Sequence, residues 1–201
     1  MGDNKSDKGS YDIKKSQHNY TTFYYSIFNK IQNDNLRLFE LGLGTNNVNV
    51  LSNMGPNGRP GASLYGWRDF FPNSKIYGAD IDKGILFSTD RIKTFYCDQT
   101  NPDVIKELWN NDELQEDFDI IIEDGLHTYE ANVCFLENSI HKLKVNGYYI
   151  VEDIITGDIN LFNQKIKEWK IRFPNLIFTL LRIPSFVNNI DNNLLVVYKE
   201  S

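Results

Sequence analysis

The sequence predicts an α/β domain with a doubly wound sheet of seven strands, mostly parallel and with an antiparallel C-terminal strand. Two observations support this prediction. From residue 36 onward, short apolar runs alternate with segments whose apolar residues recur at helical spacing, which is the pattern of parallel strands joined by crossover helices. The last two apolar runs are separated by a loop rich in proline and asparagine in place of a helix, so these strands are expected to form an antiparallel hairpin.

The segment before the first strand divides into a polar arm and a helix. Residues 1–18 are rich in Gly, Asp, Lys and Ser, and they are expected to form either a flexible arm or a flap that a ligand orders. The next residues carry aromatic and aliphatic side chains at helical spacing, which predicts an amphipathic helix over Tyr20–Ile31. Thr21 or Thr22 is expected to cap this helix.

The remaining elements follow in order along the chain. Each helical segment has apolar residues spaced to pack on one face of a sheet. Residues 1–35 are assigned as an N-terminal arm and helix that cover the site, and residues 36–201 as the main domain. The strands are predicted at Leu36–Leu41, Lys75–Ala79, Thr94–Cys97, Phe118–Ile122, Tyr148–Val151, Leu176–Leu181 and Leu194–Tyr198. The helices between them are predicted at Ala62–Phe71, Pro102–Asn110, Thr128–Leu143 and Ile159–Arg172.

Size, charge and cysteine content limit the classes of function. A chain of 201 residues is long enough for one substantial core. The net charge of -6 and the pI near 5.1 argue against nucleic acid as an obligatory partner, because phosphate binding needs clustered Lys and Arg. The ligand is therefore expected to be a small molecule. The two cysteines, Cys97 and Cys134, are expected to be buried thiols and not a disulfide.

The sequence contains no signal for export or membrane association. Its first residues include no apolar segment typical of a secretory signal, and no apolar run approaches the roughly 20 residues that span a bilayer. We therefore expect a soluble cytoplasmic protein with no membrane partner. The aromatic residues of the first helix are expected either to form a homodimer interface or to pack on the sheet.

The first strand ends in a glycine loop that suits close approach of a ligand. It reads Glu40-Leu-Gly42-Leu-Gly44, and its glycines let the backbone pass directly beneath a bound molecule. Two such glycines also occur in tight turns for purely steric reasons. A dinucleotide fingerprint would require a third glycine where this chain has Asn47, which disfavours an NAD-dependent oxidoreductase.

Single acidic residues follow the next two strands. Asp80 stands where α/β nucleotide sites bind ribose hydroxyls, and Asp98 stands where a carboxylate accepts a hydrogen bond from an exocyclic amine. Asp80 taken alone also fits a solvated strand end. Three successive strand ends with polar groups of this kind together favour a nucleoside-binding site.

Two later strands end in paired carboxylates. The fourth strand continues into Glu123-Asp124-Gly125-Leu126-His127, and the fifth continues into Glu152-Asp153. Because parallel strands bring their carboxyl ends to one crevice, four carboxylates and one imidazole are expected together, an arrangement that favours a divalent cation and a general base. His127 also fits a polar residue near a helix start. Glu123 either points away from Asp124, as neighbouring strand residues do, or caps a helix.

These motifs resemble those of the class I S-adenosylmethionine-dependent methyltransferases, which have a Rossmann-like sheet with an antiparallel last strand. The resemblance covers residues 36–201. It implies a first cofactor motif in the glycine loop, a ribose-binding acid after the second strand and an adenine-side acid after the third. The cofactor-binding residues expected on this basis are Glu40, Gly42, Gly44, Ser63, Asp80, Asp98 and Asp124.

A narrower resemblance is to the metal-dependent sugar O-methyltransferases of macrolide and bacterial surface-polysaccharide pathways. It rests on Asp124-Gly125-Leu126-His127, on Glu152-Asp153 and on the segment Ala62–Gly78. It implies that Asp124, Glu152 and Asp153 hold Mg²⁺ and that His127 takes a proton from the acceptor. In the macrolide enzymes that this chain resembles, an aspartate stands in place of Glu152. Because the glutamate side chain is longer, either both acids of the pair or only Asp153 would reach the metal.

The sequence thus predicts an O-methyltransferase that uses S-adenosyl-L-methionine and Mg²⁺ to methylate a sugar hydroxyl, with His127 and Asp124 as catalytic residues. The resemblance implies a nucleotide-linked or glycan-precursor sugar of a bacterial capsule or surface polysaccharide as the acceptor. Alternative acceptors are a macrolide glycoside, a phosphate-derived group or another hydroxylated metabolite. A different alternative is a non-catalytic subunit that binds S-adenosylmethionine. The N-terminal arm, including His18, is expected to fold over the cofactor or substrate.

Overall fold

The structure is a computed structural model, and it describes residues 6–9 and 18–201. Of the predicted arm, residues 1–5 and 10–17 lie outside the described residues. Short 3-10 turns extend the first helix over Asn29–Ile31 and the fourth over Ile140–Lys142. The strands are β1 (Arg37–Leu41), β2 (Lys75–Asp80), β3 (Ile92–Tyr96), β4 (Phe118–Glu123), β5 (Leu143–Val151), β6 (Leu176–Arg182) and β7 (Asn193–Lys199). The α-helices are α1 (Tyr20–Phe28), α2 (Ala62–Phe70), α3 (Pro102–Trp109), α4 (Tyr129–Ser139) and α5 (Ile159–Arg172).

The seven strands form one mixed sheet in the order β3-β2-β1-β4-β5-β7-β6. β1 to β5 run parallel to one another, and β7 runs antiparallel to both of its neighbours, β5 and β6. The predicted fold class and the terminal hairpin are therefore confirmed. The chain order reverses between β1 and β4, and in open α/β sheets the ligand crevice lies at the carboxyl ends of the strands beside such a reversal.

The sheet separates two apolar cores. Leu38 of β1 packs on the face that α1 and α2 cover, whereas the next residue, Phe39, packs on the face that α3, α4 and α5 cover. This alternation follows from the two-residue period of a strand that is buried on both faces. The buried residues of α1 are Tyr20, Tyr24 and Phe28, so the aromatic face of this helix packs on the sheet.

The predicted C-terminal end of the fourth helix, at Leu143, is wrong. α4 ends at Ser139, and β5 begins at Leu143, which pairs with Phe118 of β4. An apolar residue at this position satisfies a helical spacing and a strand pattern equally. Asn146 then adopts a left-handed conformation with φ 64°. The first half of β5 is therefore irregular, and its residues do not show the apolar alternation by which a strand is predicted.

The expected cap of α1 is also wrong. Asn19 occupies the N-cap position, but its side chain forms no capping hydrogen bond to the helix, and Thr21 lies in the first turn. The backbone N–H of Thr21 instead donates to the carbonyl oxygen of Lys8 at 3.2 Å. A backbone carbonyl from the preceding arm therefore satisfies one of the free amides of the first turn, which a capping side chain would otherwise satisfy.

Two further expectations concern the cysteines and the membrane. Both Cys97 and Cys134 are free thiols, as predicted, but only Cys97 is buried and Cys134 is partly exposed. Burial raises the pKa of Cys97 to about 12. Among the described helices, none combines the length and apolar character that a bilayer crossing needs.

Candidate functional site

A cavity of about 410 Å³ opens at the carboxyl ends of the parallel strands, within the size range of small-molecule sites. It lies beside the reversal between β1 and β4, where the sheet topology places a ligand. Glu40, Glu152 and Asp153 do not line it. The residues predicted from the sequence that line it directly are Gly42, Gly44, Ser63, Asp80, Asp98, Asp124 and His127.

The glycine loop forms one wall of this cavity because two strand ends come very close there. Gly42 has φ 90°, and a Cβ at this position would lie only 1.8 Å from the carbonyl oxygen of Asp124. Its backbone N–H donates to the carbonyl oxygen of Ala79 at 2.8 Å, which ties the loop to β2. Gly44 has φ 72° and lies against the side chain of Met54. Both glycines are therefore required by the backbone path, independently of any ligand.

The two single acids are held by the turns in which they stand. Asp80 accepts hydrogen bonds from the backbone N–H groups of Leu43 at 2.7 Å and Asp82 at 2.8 Å. Asp98 accepts from the backbone N–H of Thr100 at 2.9 Å and from its hydroxyl. Burial raises the pKa of Asp80 above its ordinary value. These bonds fix the two carboxylates in place on the cavity wall.

Glu40 is fully buried and does not line the cavity. Its Oε2 accepts a hydrogen bond from the indole Nε1 of Trp67 at 2.5 Å, and the Ser63 hydroxyl also bonds to this carboxylate. Burial raises the pKa of Glu40. Trp67 belongs to the apolar core under α2 and is only 1% exposed, so it packs the core and also orients this acid.

The ends of β4 and β5 bring Asp124, His127 and Asp153 together. His127 Nε2 lies 3.1 Å from Asp124 Oδ1, and its Nδ1 lies 3.8 Å from Asp153 Oδ2. One ligand atom from each of the three residues lies within 4.8 Å of the others. His127 and Asp153 both adopt left-handed backbone conformations, with φ 60° and 53°. Non-glycine residues rarely adopt such angles, and they concentrate at functional sites.

α1 holds the acidic pair at the end of β5 with two phenols. Tyr24 donates its hydroxyl to Glu152 Oε1, and Tyr20 donates its hydroxyl to Asp153 Oδ1 at 2.8 Å. Since these tyrosines are four residues apart, they lie on the same face of the helix. His18 adds a contact of 3.2 Å from its Nδ1 to the same oxygen of Asp153. The helix thus orients two consecutive carboxylates.

Lys8 lies at the centre of the acidic residues, a position that sequence reasoning missed. Its side chain is 1% exposed, and its Nζ contacts Asp124 Oδ2 at 2.5 Å, Glu40 Oε1 at 3.3 Å and also Glu152. Burial alone would lower the pKa of this ammonium, but the three carboxylates raise it well above its ordinary value. No local pattern marks Lys8, although a cluster of buried carboxylates does require a counterion somewhere in the chain.

The charges of this group shift the pKa values of its members. Burial works against protonated His127, but its hydrogen bond with Asp124 and the nearby carboxylates raise its pKa to about 10. Its side chain is 27% exposed, so water screens part of this effect. Partial burial works against the charged form of Asp124, whose side chain is 15% exposed, yet Lys8 and His127 hold its pKa well below the ordinary value. Burial and the charge of Asp124 raise the pKa of Asp153 to about 6.

The side chain of Glu123 points to the opposite face of the sheet from that of Asp124, as the alternation along a strand predicts. Its Oε1 accepts from Gln99 Nε2 at 3.0 Å, and Gln99 Oε1 in turn accepts from the backbone N–H of Leu126 at 2.6 Å. Gln99 therefore clamps the turn that carries His127. Burial raises the pKa of Glu123 to about 7.

Substitution Gly42→Ala is expected to lower the free energy of unfolding by at least about 2 kcal/mol, because it combines a left-handed backbone with a steric clash. Gly55→Ala is the matched control, since Gly55 has a similar φ of 67° but open space within 4 Å of the position that a methyl group would take. It is expected to lose only about 1 kcal/mol. Urea unfolding of both variants measures the difference, and equal losses would contradict the close approach of the two strand ends.

Substitution Glu123→Gln is expected to stabilise the protein more at pH 8 than at pH 5. The folded-state pKa of about 7 lies above the unfolded value, so the stability that the neutral acid contributes is complete below the unfolded pKa. It is lost as the pH rises through 7. Glutamine remains neutral, and its advantage should grow by about 2–3 kcal/mol over this interval. Urea unfolding at both pH values tests this, and the exposed Glu107→Gln should show no such change.

Comparison with known proteins gives matches in sequence and in fold, although no family model matches the sequence. Demethylmacrocin O-methyltransferase of Streptomyces fradiae is 32% identical over 146 residues, which are 71% of this chain and 33% of that protein. Mycinamicin VI 2''-O-methyltransferase of Micromonospora griseorubida is 29% identical over 141 residues, 70% of this chain and 32% of that protein. The chain thus spans about a third of the length of the curated relatives it matches.

The solved structures agree in fold. The methyltransferase MycE of the mycinamycin biosynthetic pathway, in complex with Mg and S-adenosylhomocysteine (SAH), superimposes with a TM-score of 0.75 at 22% identity. That match covers 98% of this chain and 53% of the other. An O-methyltransferase from Bacillus cereus in complex with SAH gives a TM-score of 0.61 at 13% identity, covering 90% of this chain and 81% of that one. These structures establish the fold, and the sequence matches confirm the predicted resemblance.

Proposed function

We propose that this chain, which is related to the S-adenosylmethionine-dependent sugar O-methyltransferases, transfers a methyl group from S-adenosylmethionine to a sugar hydroxyl. The observation that carries the proposal is the position of Asp124. It lines the cavity at the end of β1 and β4, and it also belongs to the group with His127 and Asp153. A cofactor site and an oxygen-activating site would therefore adjoin each other, as methyl transfer requires.

The cavity fits the cofactor in the chemistry of its walls. Gly42 and Gly44 leave the wall beneath it free of side chains, and Asp80 and Asp98 offer fixed carboxylates for ribose hydroxyls and an exocyclic amine. Ser63 also lines the cavity. Glu40, the remaining acid of the first motif, accepts a hydrogen bond from Trp67 and forms an ion pair with Lys8. We infer that it supports the cofactor site through these groups.

The acidic group fits a magnesium ion. Hard cations prefer oxygen ligands, and each of Asp124 and Asp153 has an oxygen that faces His127. One oxygen of Glu152 accepts a hydrogen bond from Tyr24 and the other accepts one from Lys8, but each carboxylate oxygen has a second lone pair. Glu152 therefore stays a predicted third ligand. When bound, such a cation would acidify a sugar hydroxyl and direct it toward the methyl group.

His127 is proposed to take the proton from the acceptor hydroxyl. Its imidazole is 27% exposed and is held from both sides by Asp124 and Asp153. These carboxylates raise its pKa to about 10, which keeps it protonated at neutral pH. A divalent cation on the same carboxylates would offset their charge and lower this pKa toward the range in which a general base works.

The acceptor is inferred from the relatives. Their names specify macrocin, tetracenomycin and mycinamicin derivatives, and one related structure contains mycinamycin VI. These names favour a sugar that is part of a glycoside. They give no support to a nucleotide-linked sugar or to a capsule pathway, which are the expectations from the sequence. A homodimer stays a prediction.

Calorimetric titration is expected to show binding of SAH but not of NAD. With mycinamicin VI as a first probe for the acceptor, methyl transfer should disappear in the presence of EDTA and return on addition of Mg²⁺. Full activity in EDTA would refute the metal, while NAD binding without SAH binding would refute the methyltransferase assignment.

Substitution His127→Asn is expected to reduce kcat by about 10²–10⁴-fold, because it removes the base while asparagine tolerates the left-handed backbone. SAH affinity should change by less than about threefold, since binding does not depend on proton transfer. The exposed His141 lies outside the site, and His141→Asn is the matched control with unchanged kcat. Rate measurements on both variants test the role, and an active His127→Asn enzyme would exclude His127 as the base.

A further inference from the structure

Lys8 is a buried cation that takes no part in the proposed proton transfer or in holding the metal. Its side chain is 1% exposed, and it contacts one carboxylate from each of three neighbouring strand ends: Glu40 near the end of β1, Asp124 after β4 and Glu152 after β5. Removing an ammonium from water costs several kcal/mol unless close, well-aligned partners offset the loss. The three contacts explain how the charge is tolerated there. They do not explain why the ammonium reaches the carboxylates from residues 6–9, because a counterion from another direction would offset their charge as well.

The contact with Asp124 divides the two oxygens of that carboxylate. Lys8 Nζ takes Oδ2 at 2.5 Å, while Oδ1 faces His127 Nε2 at 3.1 Å. The two oxygens of a carboxylate are equivalent, so a half-turn about χ2 only exchanges them, but a quarter-turn would break both contacts. Lys8 therefore fixes the orientation in which Asp124 meets His127.

The backbone around Lys8 is fixed by α1. The Lys8 carbonyl oxygen accepts from Thr21 N–H at 3.2 Å, and a Cβ on Gly9 would lie 2.3 Å from Thr21 Oγ1 and 3.0 Å from Thr21 Cβ. Only a residue without a side chain lets the segment lie so close to the helix. Ser6 and Asp7, just before Lys8, line the same cavity as Gly42 and Asp80.

We propose that Lys8 is a positioning residue of the methyl-transfer site, which orients Asp124 toward the cation and holds Ser6 and Asp7 in the wall of the cofactor cavity. The inference rests on the proposed function for the identity of the two ligands. It assigns to residues 6–9 a part in binding that the strand-end motifs do not supply. Groups that orient metal ligands in this way commonly contribute about 10–100-fold to metal affinity or activity.

A different role would give the opposite result. If Lys8 only filled the place of a cation in the acidic group, its removal would tighten cation binding, because the ammonium and the metal would compete for the same oxygens. If it served only stability, its removal would lower the free energy of unfolding and leave the affinities of the folded protein unchanged.

The test compares Lys8→Met with Lys142→Met. Both lysines are buried, but Lys142 donates to the Gln115 carbonyl oxygen just before the starts of β4 and β5, whereas the acidic residues follow the ends of these strands. Mn²⁺ binding is measured by electron paramagnetic resonance and SAH binding by calorimetry, so no acceptor is needed. Lys8→Met is expected to weaken Mn²⁺ binding by about 10–100-fold and SAH binding by about threefold or more, whereas Lys142→Met should leave both unchanged.

A second variant keeps every charge. Gly9→Ala is expected to displace the segment from Thr21 and to weaken the binding of both Mn²⁺ and SAH, as Lys8→Met does. Gly157 has open space around it, so Gly157→Ala is the control and should leave both affinities unchanged. Tighter or unchanged Mn²⁺ binding in Lys8→Met would overturn the inference. If the wild-type chain binds SAH but not Mn²⁺, the metal part of the proposed function fails, and Lys8 is then judged by SAH affinity alone. If the wild-type chain binds neither SAH nor Mn²⁺, both the proposed function and the proposed role of Lys8 are wrong.

Discussion

Repulsion among carboxylates is the constraint on which the rest of this site depends. Glu40, Asp124, Glu152 and Asp153 stand at the ends of three adjacent strands, and three of them are less than 6% exposed. Two like charges about 4 Å apart near a protein surface repel by about 4 kcal/mol, so such a group requires compensation. It comes from the ammonium of Lys8, the imidazole of His127 and the phenols of α1. Each compensating group also fixes the direction of a carboxylate.

The sheet topology explains why the acids meet at all. β1 lies between β2 and β4, and β4 pairs with β5. Segments that are far apart in sequence therefore end side by side along one edge. The close approach of Gly42 to the Asp124 carbonyl joins the two halves of the sheet, so the cofactor side and the acidic side share a wall. Orientation across that wall is what methyl transfer between two bound molecules would need.

Much of this could be predicted from the sequence because the relevant patterns are local. Apolar runs and helical spacing identify every strand and α-helix, and topology places the acids that follow the strands at one edge. The end of α4 could not be predicted, since Leu143 suits a helix and a strand alike. Lys8 could not be predicted because two of its three partners are 116 and 144 residues away, and a polar arm has no periodicity that points to any of them. The phenols of α1 count only as apolar residues in such a pattern, because helical spacing does not show where a hydroxyl points.

The left-handed backbones of His127 and Asp153 make the geometry of the site depend on distant parts of the fold. Each costs about 1–3 kcal/mol and persists only when its surroundings hold it. Asp153 depends on Tyr20, and the turn that carries His127 depends on Gln99. These supports come from the N-terminal helix and from the loop after β3, at one edge of the sheet. The strain of the two turns is therefore offset only where β3, β4, β5 and α1 are all docked, so the geometry of the site reports complete native packing.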